Sequence, residues 1–355
     1  MTKCMMPFNA YCINPNGNGT PCCVITNGKA HESMESVFKL PVFLDAQQNE
    51  NELPDVCSSC RSSEEIYGTS HGNQFTTRFL RENKRFKTPK NVVTHLDLSF
   101  SNTCNLDCVM CSNLYSSKWN TLYDRMSDDL FGSLSDMNGY KKKQVHQLSY
   151  EQIDDILDNM DDVRRIVIKG GEPFYDKKTK YFLNNLKFVN RNVKLRIISN
   201  LTHLDLDLLN HFGNVSVTAS IDGIFDVYEW IRGTNFRKIA DNFKQLINSH
   251  VSTEINFAIS AFNIENLVDT YDFFVDLGLT GQDFGTTLVN QAHCHYRNIG
   301  RERFEKQLSE LNRIPIFTRK QSKMTWDRDP TEEEFKIFNQ FKDFMDNVRG
   351  MKCPI

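Results

Sequence analysis

Three cysteines in one short loop constrain this chain more than any other feature. Cys104, Cys108 and Cys111 are spaced C-x3-C-x2-C, and they follow an apolar run that alternates as a strand does. Three thiolates can hold three irons of a [4Fe–4S] cube. The fourth iron then lacks a protein ligand and stays open to a small molecule. The spacing therefore predicts a cluster that takes part in chemistry, and not one that only carries electrons.

A structural zinc site is the competing interpretation of these thiols. Thiolate sulfur suits zinc as well as iron–sulfur clusters. Structural zinc takes four ligands in a closed tetrahedron, and no further Cys or His follows within the loop. The spacing of the loop therefore favours the iron–sulfur cluster.

The loop resembles the signature of the radical S-adenosylmethionine (SAM) enzymes, and three later motifs extend this resemblance. They are a GGEP stretch after a second apolar run, a Ser-Asn pair at a strand end, and an SxDG…RG stretch similar to that of the SPASM/twitch branch. Their residues are Gly170, Gly171, Glu172, Pro173, Ser199, Asn200, Ser220, Asp222 and Arg232. The four motifs stand in the order and at the spacing of the family from about residue 92 to residue 288.

The resemblance implies a cofactor and a reaction. SAM binds the open iron through its amino and carboxylate groups, and one electron breaks its S–C5′ bond. The resulting 5′-deoxyadenosyl radical takes a hydrogen atom from the substrate, so the cofactor supplies the difficult step and the protein supplies the geometry.

The resemblance also implies roles for the residues that hold SAM. Gly170 and Gly171 let the backbone approach the ligand, because they lack a Cβ. Glu172, followed by Pro173, accepts a charge-assisted hydrogen bond from the SAM ammonium. Met110 stands where the family often has an aromatic residue, and it covers the adenine.

Five further polar residues are weaker parts of the same site. By resemblance the ribose or the carboxylate of SAM is contacted by Ser199, Asn200, Ser220, Asp222 and Arg232. The side chains of Ser220 and Asp222 can equally cap the helix that follows them.

A second group of cysteines lies in the first 60 residues. Cys4 and Cys22, with Cys57 and Cys60 spaced C-x2-C, resemble the twitch domain, a shorter relative of SPASM. The resemblance implies one auxiliary [4Fe–4S] cluster, although the twitch element normally follows the barrel and here precedes it. A fully ligated cluster of this kind would accept or relay electrons.

Two cysteines leave the auxiliary ligand set open. Cys12 can replace Cys4 as a ligand, and Cys23 can replace Cys22. A zinc ribbon built from the same residues is the alternative to the cluster.

The order of predicted elements indicates an α/β fold. Strands alternate with helices from residue 92, which implies a parallel sheet, and six such units suit the partial (β/α)6 barrel of radical SAM enzymes. The strands are predicted at 92–100, 165–169, 193–199, 215–221, 253–259 and 281–288. Helices are predicted at 74–83, 115–126, 177–189, 205–212, 237–249 and 264–277, and the polar insert 127–150 is predicted as a lid or a loop.

We expect three regions along the chain. Residues 1–89 form a small cysteine-rich auxiliary-cluster domain with a linker, 90–290 form the barrel, and 291–355 form a helical C-terminal extension. In the extension, Phe335, Phe338, Phe341 and Phe344 recur every three residues, and we interpret them as core packing.

Composition excludes several classes of protein. The formal net charge is −3, and 25% of the residues are charged. This composition does not give the positively charged surface that nucleic-acid binding requires. The short basic runs at 84–85 and 141–143 are interpreted as solvated surface. No apolar stretch reaches the length of a membrane span. We expect a cytoplasmic protein whose eleven cysteines serve mainly as metal ligands in a reducing compartment.

The expected function is that of a radical SAM enzyme that oxidises or modifies a peptide or a small molecule, with the auxiliary cluster as electron acceptor. It would need a reducing partner such as flavodoxin or ferredoxin. A general base is not assigned, and Asp97 and Asp283 are the candidates. The alternatives are a radical enzyme that modifies a nucleotide or a nucleic-acid base, and a non-catalytic module that binds zinc or a cluster.

Overall fold

The computed structural model describes residues 4–25, 28–48, 55–82, 91–138, 145, 147–317 and 324–354. The strands are β1 (Ala10–Ile13), β2 (Asn18–Thr20), β3 (Lys29–Ala30), β4 (His95–Leu98), β5 (Arg165–Ile168), β6 (Lys194–Ser199), β7 (Val215–Ser220), β8 (Ser252–Ile259) and β9 (Phe284–Leu288).

The α-helices are α1 (Met6–Asn9), α2 (Pro41–Gln47), α3 (Ser58–Tyr67), α4 (His71–Glu82), α5 (Trp119–Arg125), α6 (Asp128–Asn138), α7 (Tyr150–Asp158), α8 (Lys177–Val189), α9 (Leu206–Leu209), α10 (Phe225–Arg232), α11 (Phe236–Ile247), α12 (Leu267–Asp276), α13 (Arg301–Leu311) and α14 (Glu332–Arg349).

The chain folds into two compact units. The first comprises residues 1–102, 145–197 and 205–215, and the second comprises 103–144, 198–204 and 216–355. In the first unit the strand order is β3-β2-β1-β4-β5-β6. Strand β1 runs parallel to β4, and β4 runs parallel to β5 and β5 to β6, whereas β2 and β3 add as antiparallel strands. In the second unit β7, β8 and β9 are parallel neighbours.

Alternation along the strands explains the core of the first unit. Along β6, Leu195 and Ile197 are buried, while Arg196 between them is half-buried. Asp176 caps the N-terminus of helix α8, and its carboxylate accepts the N–H of Thr179 over 3.0 Å. The helix then buries Phe182 against Phe100, with ring centroids 4.9 Å apart.

Aromatic packing builds the core of the second unit. Trp230 of α10 lies 4.8 Å from Phe262 between ring centroids, and Trp119 of α5 stacks on Phe341 of α14. Along α14 the buried positions are four residues apart, because a helix turns every 3.6 residues. Phe335 is therefore 47% exposed, and its assignment to the core is wrong.

The structure confirms the mixed α/β class with a parallel sheet and a helical C-terminal region. The insert at 127–150, for which the sequence predicts a lid or a loop, contains helix α6 and the start of α7. The basic runs at 84–85 and 141–143 lie outside the described residues. None of the helices in the described ranges is long and apolar enough to cross a membrane.

Candidate functional site

The cysteine loop of the second unit gathers its three thiols in one place. Cys104 and Cys108 are 8% and 9% exposed and share a small cluster with Leu106. Cys111 packs against this cluster, and its N–H donates to the carbonyl of Cys108 over 3.0 Å. The loop thus closes on itself and keeps its sulfurs away from bulk solvent.

Contacts from distant residues fix the shape of this loop. The indole N–H of Trp119 donates to the carbonyl of Cys108 over 3.0 Å. Arg349, at the end of α14, donates to the carboxylate of Asp107 over 2.7 Å and to its carbonyl over 2.9 Å. The glycine of the RG pair, Gly233, has φ +68°, and a Cβ at this position would lie 2.7 Å from the Arg349 guanidinium. Helices α5 and α14 therefore hold the loop in position.

Two polar side chains donate to sulfurs of the loop. The amide of Asn200 lies 3.9 Å from the sulfur of Cys104, and it also donates to Asn105 over 3.2 Å. The guanidinium of Arg232 donates to the sulfur of Cys108 over 3.7 Å. Hydrogen bonds of this kind favour thiolate over thiol, and they are among the factors that set the potential of an iron–sulfur cluster.

Burial decides the charge of the thiols in this structure. It raises the pKa of Cys108, although the neighbouring charge of Arg232 acts in the opposite direction. It also raises the pKa of Cys111, to which Cys108 and Cys104 add by mutual repulsion. A bound metal centre offsets this cost, because it deprotonates the thiols that coordinate it.

Asp222 forms a buried ion pair with Arg232. The carboxylate is 0% exposed and also accepts the N–H of Ala258 over 2.8 Å. The helix that follows, α10, has Ile224 at its N-cap and no side-chain cap. The carboxylate of Asp222 thus orients Arg232, and it does not cap the helix.

The remaining polar residues of the strand ends take local roles. Ser199 accepts the N–H of Leu201 over 2.9 Å, and Asn200 accepts the N–H of Thr202 over 2.9 Å. Ser220 ends β7, half-buried, in register with Asn256 of β8.

A cavity of about 510 Å³ lies beside the cysteine loop in the second unit. Met110 of the loop contributes to its wall, and the ends of β8 and β9 supply most of the rest: Ala258, Thr287, Leu288, Val289, Asn290 and Gln291, with Met137 from α6. Its size is within the range of pockets that bind small molecules.

The GGEP stretch lies in the first unit, directly after β5. Gly170 and Gly171 have φ +82° and +49°, and a Cβ on Gly170 would lie 2.6 Å from Ser99. Glu172 is 1% exposed, and its carboxylate accepts the N–H of Phe174 over 3.1 Å. The two glycines are thus required by the backbone itself, and the carboxylate is held inside the turn.

Four of the N-terminal cysteines lie close enough within the first unit for their charges to interact. Burial raises the pKa of Cys4 to about 12, with smaller contributions from the nearby thiols of Cys57 and Cys60. Burial raises the pKa of Cys22 to about 12 as well, with smaller contributions from Cys23 and Cys60. The four residues predicted as auxiliary ligands are therefore neighbours.

Donors also converge on two of these sulfurs. The N–H of Met6 and the hydroxyl of Thr76 donate to Cys4. The N–H groups of Val24 and Ile25 donate to Cys22. Such donors stabilise thiolates, which is what a cluster requires of its ligands.

The two other cysteines of this segment lie near the same thiols, because Cys23 and Cys22 contribute to the raised pKa of Cys12 and Cys60 contributes to that of Cys23. Cys12 is fully buried in β1 and lies in register with Asp97 of β4. Cys23 lies 3.5 Å from the Nε2 of His71. A single metal ion needs ligands that converge on one point, and no group of three Cys, His, Asp or Glu in the described ranges does so.

The two candidates for a general base are already engaged. Asp97 pairs with Lys169 at 2.9 Å. Asp283 accepts the N–H and the hydroxyl of Thr280, both over 2.7 Å, and so closes a surface turn.

Comparisons with known proteins show that the cysteine loop lies within a known domain. Residues 98–274 match the model of the Radical SAM superfamily. The chain is 25% identical over 185 residues to the sporulation killing factor maturation protein SkfB of Bacillus subtilis (strain 168), an alignment that covers 51% of this chain and 39% of SkfB.

Two solved structures are similar at lower levels. Streptococcus suis SuiB bound to its precursor peptide SuiA has a TM-score of 0.42 at 13% identity, covering 73% of this chain and 60% of SuiB. The protein anSMEcpe with bound AdoMet has a TM-score of 0.42 at 16% identity, covering 62% of this chain and 63% of anSMEcpe. The chain thus spans less than two thirds of the length of each of these relatives. The family match thus assigns a Radical SAM superfamily domain to residues 98–274, and the cysteine loop lies within it.

Proposed function

We propose that this enzyme binds a [4Fe–4S] cluster through Cys104, Cys108 and Cys111, binds SAM beside it, and modifies a peptide. One observation carries the first part: two buried thiols and one partly buried thiol lie in one closed loop, and Asn200 and Arg232 donate to two of their sulfurs. The chemistry that a bound cluster supplies is one-electron reduction of SAM to a 5′-deoxyadenosyl radical.

The protein's own groups prepare this chemistry. Trp119 and Arg349 hold the loop, and Arg232 places a positive charge beside one sulfur. We assign the cavity beside Met110 to the adenosine part of SAM, because its wall combines apolar side chains with the amides of Asn290 and Gln291. Gly170, Gly171, Glu172 and Pro173 are assigned to the methionine part, with Ser199, Asn200, Ser220 and Asp222 in supporting roles.

A second cluster is part of the proposal. Cys4, Cys22, Cys57 and Cys60 are assigned as its ligands, since their thiols are neighbours and the sulfurs of Cys4 and Cys22 accept N–H groups. Cys12, which is fully buried in β1 and in register with Asp97 of β4, is left out of the ligand set. An auxiliary cluster would accept the electron that an oxidative modification releases.

The peptide substrate class rests on the similarity to SkfB, which is named as a maturation protein. The test is anaerobic reconstitution followed by dithionite and SAM, with 5′-deoxyadenosine measured. Peptides deuterated at their Cα and side-chain carbons would then be supplied as a pool. Deuterium in 5′-deoxyadenosine supports a peptide substrate, whereas transfer only from a matched pool of deuterated nucleosides would refute it.

A further inference from the structure

A strained turn at residues 199–202 belongs to the second unit. Leu201 in this turn has φ +57°, in the left-handed region that residues with a Cβ rarely adopt. Its side chain is fully buried. A leucine stays in this region only when the surrounding structure holds it there. The contacts of the turn therefore indicate what the strained conformation is for.

Two side chains hold the backbone of Leu201. Its N–H donates to the hydroxyl of Ser199 over 2.9 Å. Its carbonyl accepts from the side-chain amide of Asn242 over 2.7 Å. Ser199 belongs to the turn itself, whereas Asn242 is a half-buried residue of α11, 41 positions further along the chain. Helix α11 thus supplies a hydrogen bond that supports the left-handed residue from outside the turn.

The residues on either side of Leu201 both contact Asn105, which directly follows Cys104 in the cysteine loop. The amide nitrogen of Asn200 donates to the side-chain oxygen of Asn105 over 3.2 Å. The amide nitrogen of Asn105 donates to the hydroxyl of Thr202 over 2.8 Å. That hydroxyl lies 2.7 Å from the side-chain oxygen of Asn200, so the three side chains form a closed ring of hydrogen bonds.

One backbone group fixes the direction of the bonds in this ring. The N–H of Thr202 can only donate, so the Asn200 atom that it meets at 2.9 Å is the oxygen. The Thr202 hydroxyl donates to the same oxygen, and the Nδ1 of His203, 3.1 Å from this hydroxyl, is then a donor to it. The nitrogen of the Asn200 amide is therefore the atom that faces the sulfur of Cys104, at 3.9 Å.

The orientation of the Asn200 amide matters for a cluster bound at Cys104. Hydrogen bonds to ligand sulfurs are among the factors that set the potential of an iron–sulfur cluster. An N–H beside the sulfur stabilises the negative charge that reduction adds, whereas an amide oxygen at the same place would repel it. A turn that relaxed at Leu201 would change the direction of Asn200 and remove this donor.

We propose that Asn242 is a positioning residue for the iron–sulfur cluster. By holding Leu201 in the left-handed conformation, it directs the amide nitrogen of Asn200 at the sulfur of Cys104 and raises the reduction potential. Asn242 acts through Leu201 and Asn200. The inference rests on the proposed function, in which Cys104, Cys108 and Cys111 bind the cluster.

The first test measures the potential of the reconstituted cluster by redox titration with electron paramagnetic resonance. Asn242→Leu keeps the size of the side chain and removes its donor. It should make one-electron reduction about threefold less favourable, which is about 30 mV at 59 mV per tenfold. Asn242→Gln keeps an amide and should restore at least half of this shift. The matched control is Asn185→Leu, which removes an amide that donates to the carbonyl of Tyr181 over 2.9 Å in α8, and it should leave the potential unchanged.

A double-mutant cycle tests whether Asn242 acts through Asn200. Asn200→Leu should lower the potential by itself, and adding Asn242→Leu should lower it no further, because both changes remove the same donor. Additive shifts would overturn the proposal. So would an unchanged potential in Asn242→Leu with full iron content. Circular dichroism checks folding, and Asn242→Ala, with the same expected shift, replaces Asn242→Leu if that variant does not fold.

Crystal structures of the metal-free wild type and of metal-free Asn242→Leu give a readout that needs no cluster. In the variant we expect Leu201 to leave the left-handed region and Asn200 to turn away from Cys104. The same conformation in both proteins would refute the role of Asn242.

These measurements separate the inference from the proposed function. A wild type that takes up no iron, with a turn that changes in Asn242→Leu, would reject the proposed cluster and keep the role of Asn242 in the turn. Normal iron content and SAM cleavage, with the potential and the turn unchanged in the variant, would do the reverse.

Discussion

The guanidinium of Arg232 lies between the sulfur of Cys108 and the carboxylate of Asp222. It donates to the sulfur over 3.7 Å and forms an ion pair with the buried carboxylate. A positive charge held beside a ligand sulfur stabilises the reduced cluster more than the oxidised one, because reduction adds negative charge. Arg232 is therefore a positioning and potential-setting residue for the proposed cluster.

Replacing Arg232 with Gln should make the reduction potential of the cluster more negative. We expect a shift of about 50 mV, since 59 mV corresponds to a tenfold change in a one-electron equilibrium constant. The Asp222 carboxylate, left without its partner, acts in the same direction. The measurement is a redox titration followed by electron paramagnetic resonance.

Arg232→Lys is the matched control, because it keeps the charge and loses the planar fork. It should shift the potential by less than half as much. An unchanged potential in Arg232→Gln, with normal iron content, would show that the guanidinium does not act on the cluster.

Replacing Cys104, Cys108 and Cys111 together with Ala should abolish SAM cleavage. It should also lower the iron content by about four per chain, which is one cube. Chromatography of 5′-deoxyadenosine and an iron assay measure the two effects. Cys353→Ser, in the C-terminal region, should alter neither, and cleavage by the triple variant would exclude the assigned ligand set.

Replacing Cys57 and Cys60 with Ala should remove about four irons and leave SAM cleavage measurable, because the proposed auxiliary cluster is separate from the one that reduces SAM. Cys12→Ala should keep the full iron content, since Cys12 is fully buried in β1, in register with Asp97 of β4. If Cys12→Ala lost the iron and Cys57→Ala with Cys60→Ala did not, the auxiliary ligand set would have to be revised.

The buried imidazole of His293 should make folding stability depend on pH. Burial lowers its pKa to about 3, whereas an unfolded His titrates near pH 6.5. Below about pH 6.5 the unfolded chain binds a proton that the folded chain excludes, so stability falls as pH falls. Between pH 7.5 and 5.5 this amounts to about 1.4 kcal/mol.

His293→Gln should remove this part of the pH dependence. The difference in unfolding free energy between the two pH values, measured by urea titration, should shrink by about 1.4 kcal/mol relative to wild type. His211→Gln, at an exposed position, is the control and should leave it unchanged. Equal pH dependence in the wild type and His293→Gln would mean that His293 is protonated in the folded protein.

Local patterns explain which parts of the fold could be predicted. Strand alternation and helix spacing depend on residues that are close together in sequence. The sequence therefore predicts the parallel strands and helix α8 close to their observed bounds. Helix α10 is not among the predicted helices, because the residues around it are interpreted as the SxDG…RG motif and not as secondary structure. The exposed Phe335 shows the same limit, since a repeat of three drifts around a helix that repeats every 3.6 residues.

The missing parts of the site come from residues that are far apart in sequence. Arg349 contacts Asp107 although the two residues are 242 positions apart in sequence, and no pattern in the sequence predicts this contact. Trp119 had no motif to mark it, although a buried Trp usually donates its N–H to some acceptor. The ion pair between Asp222 and Arg232 joins two residues that the motif had named, but their partnership required the folded backbone.

The pairing of β1 with β4 has a consequence for how the protein is made. Residues 10–13 need residues 95–98 as their parallel neighbour, so the first strand cannot be completed until more than 80 further residues have left the ribosome. During this interval the six N-terminal cysteines lie on a chain in which β1 cannot yet pair with β4. Iron and sulfide would therefore be delivered to that segment after β4 has been synthesised. Cluster assembly in the N-terminal segment would then follow the synthesis of that segment by a long interval.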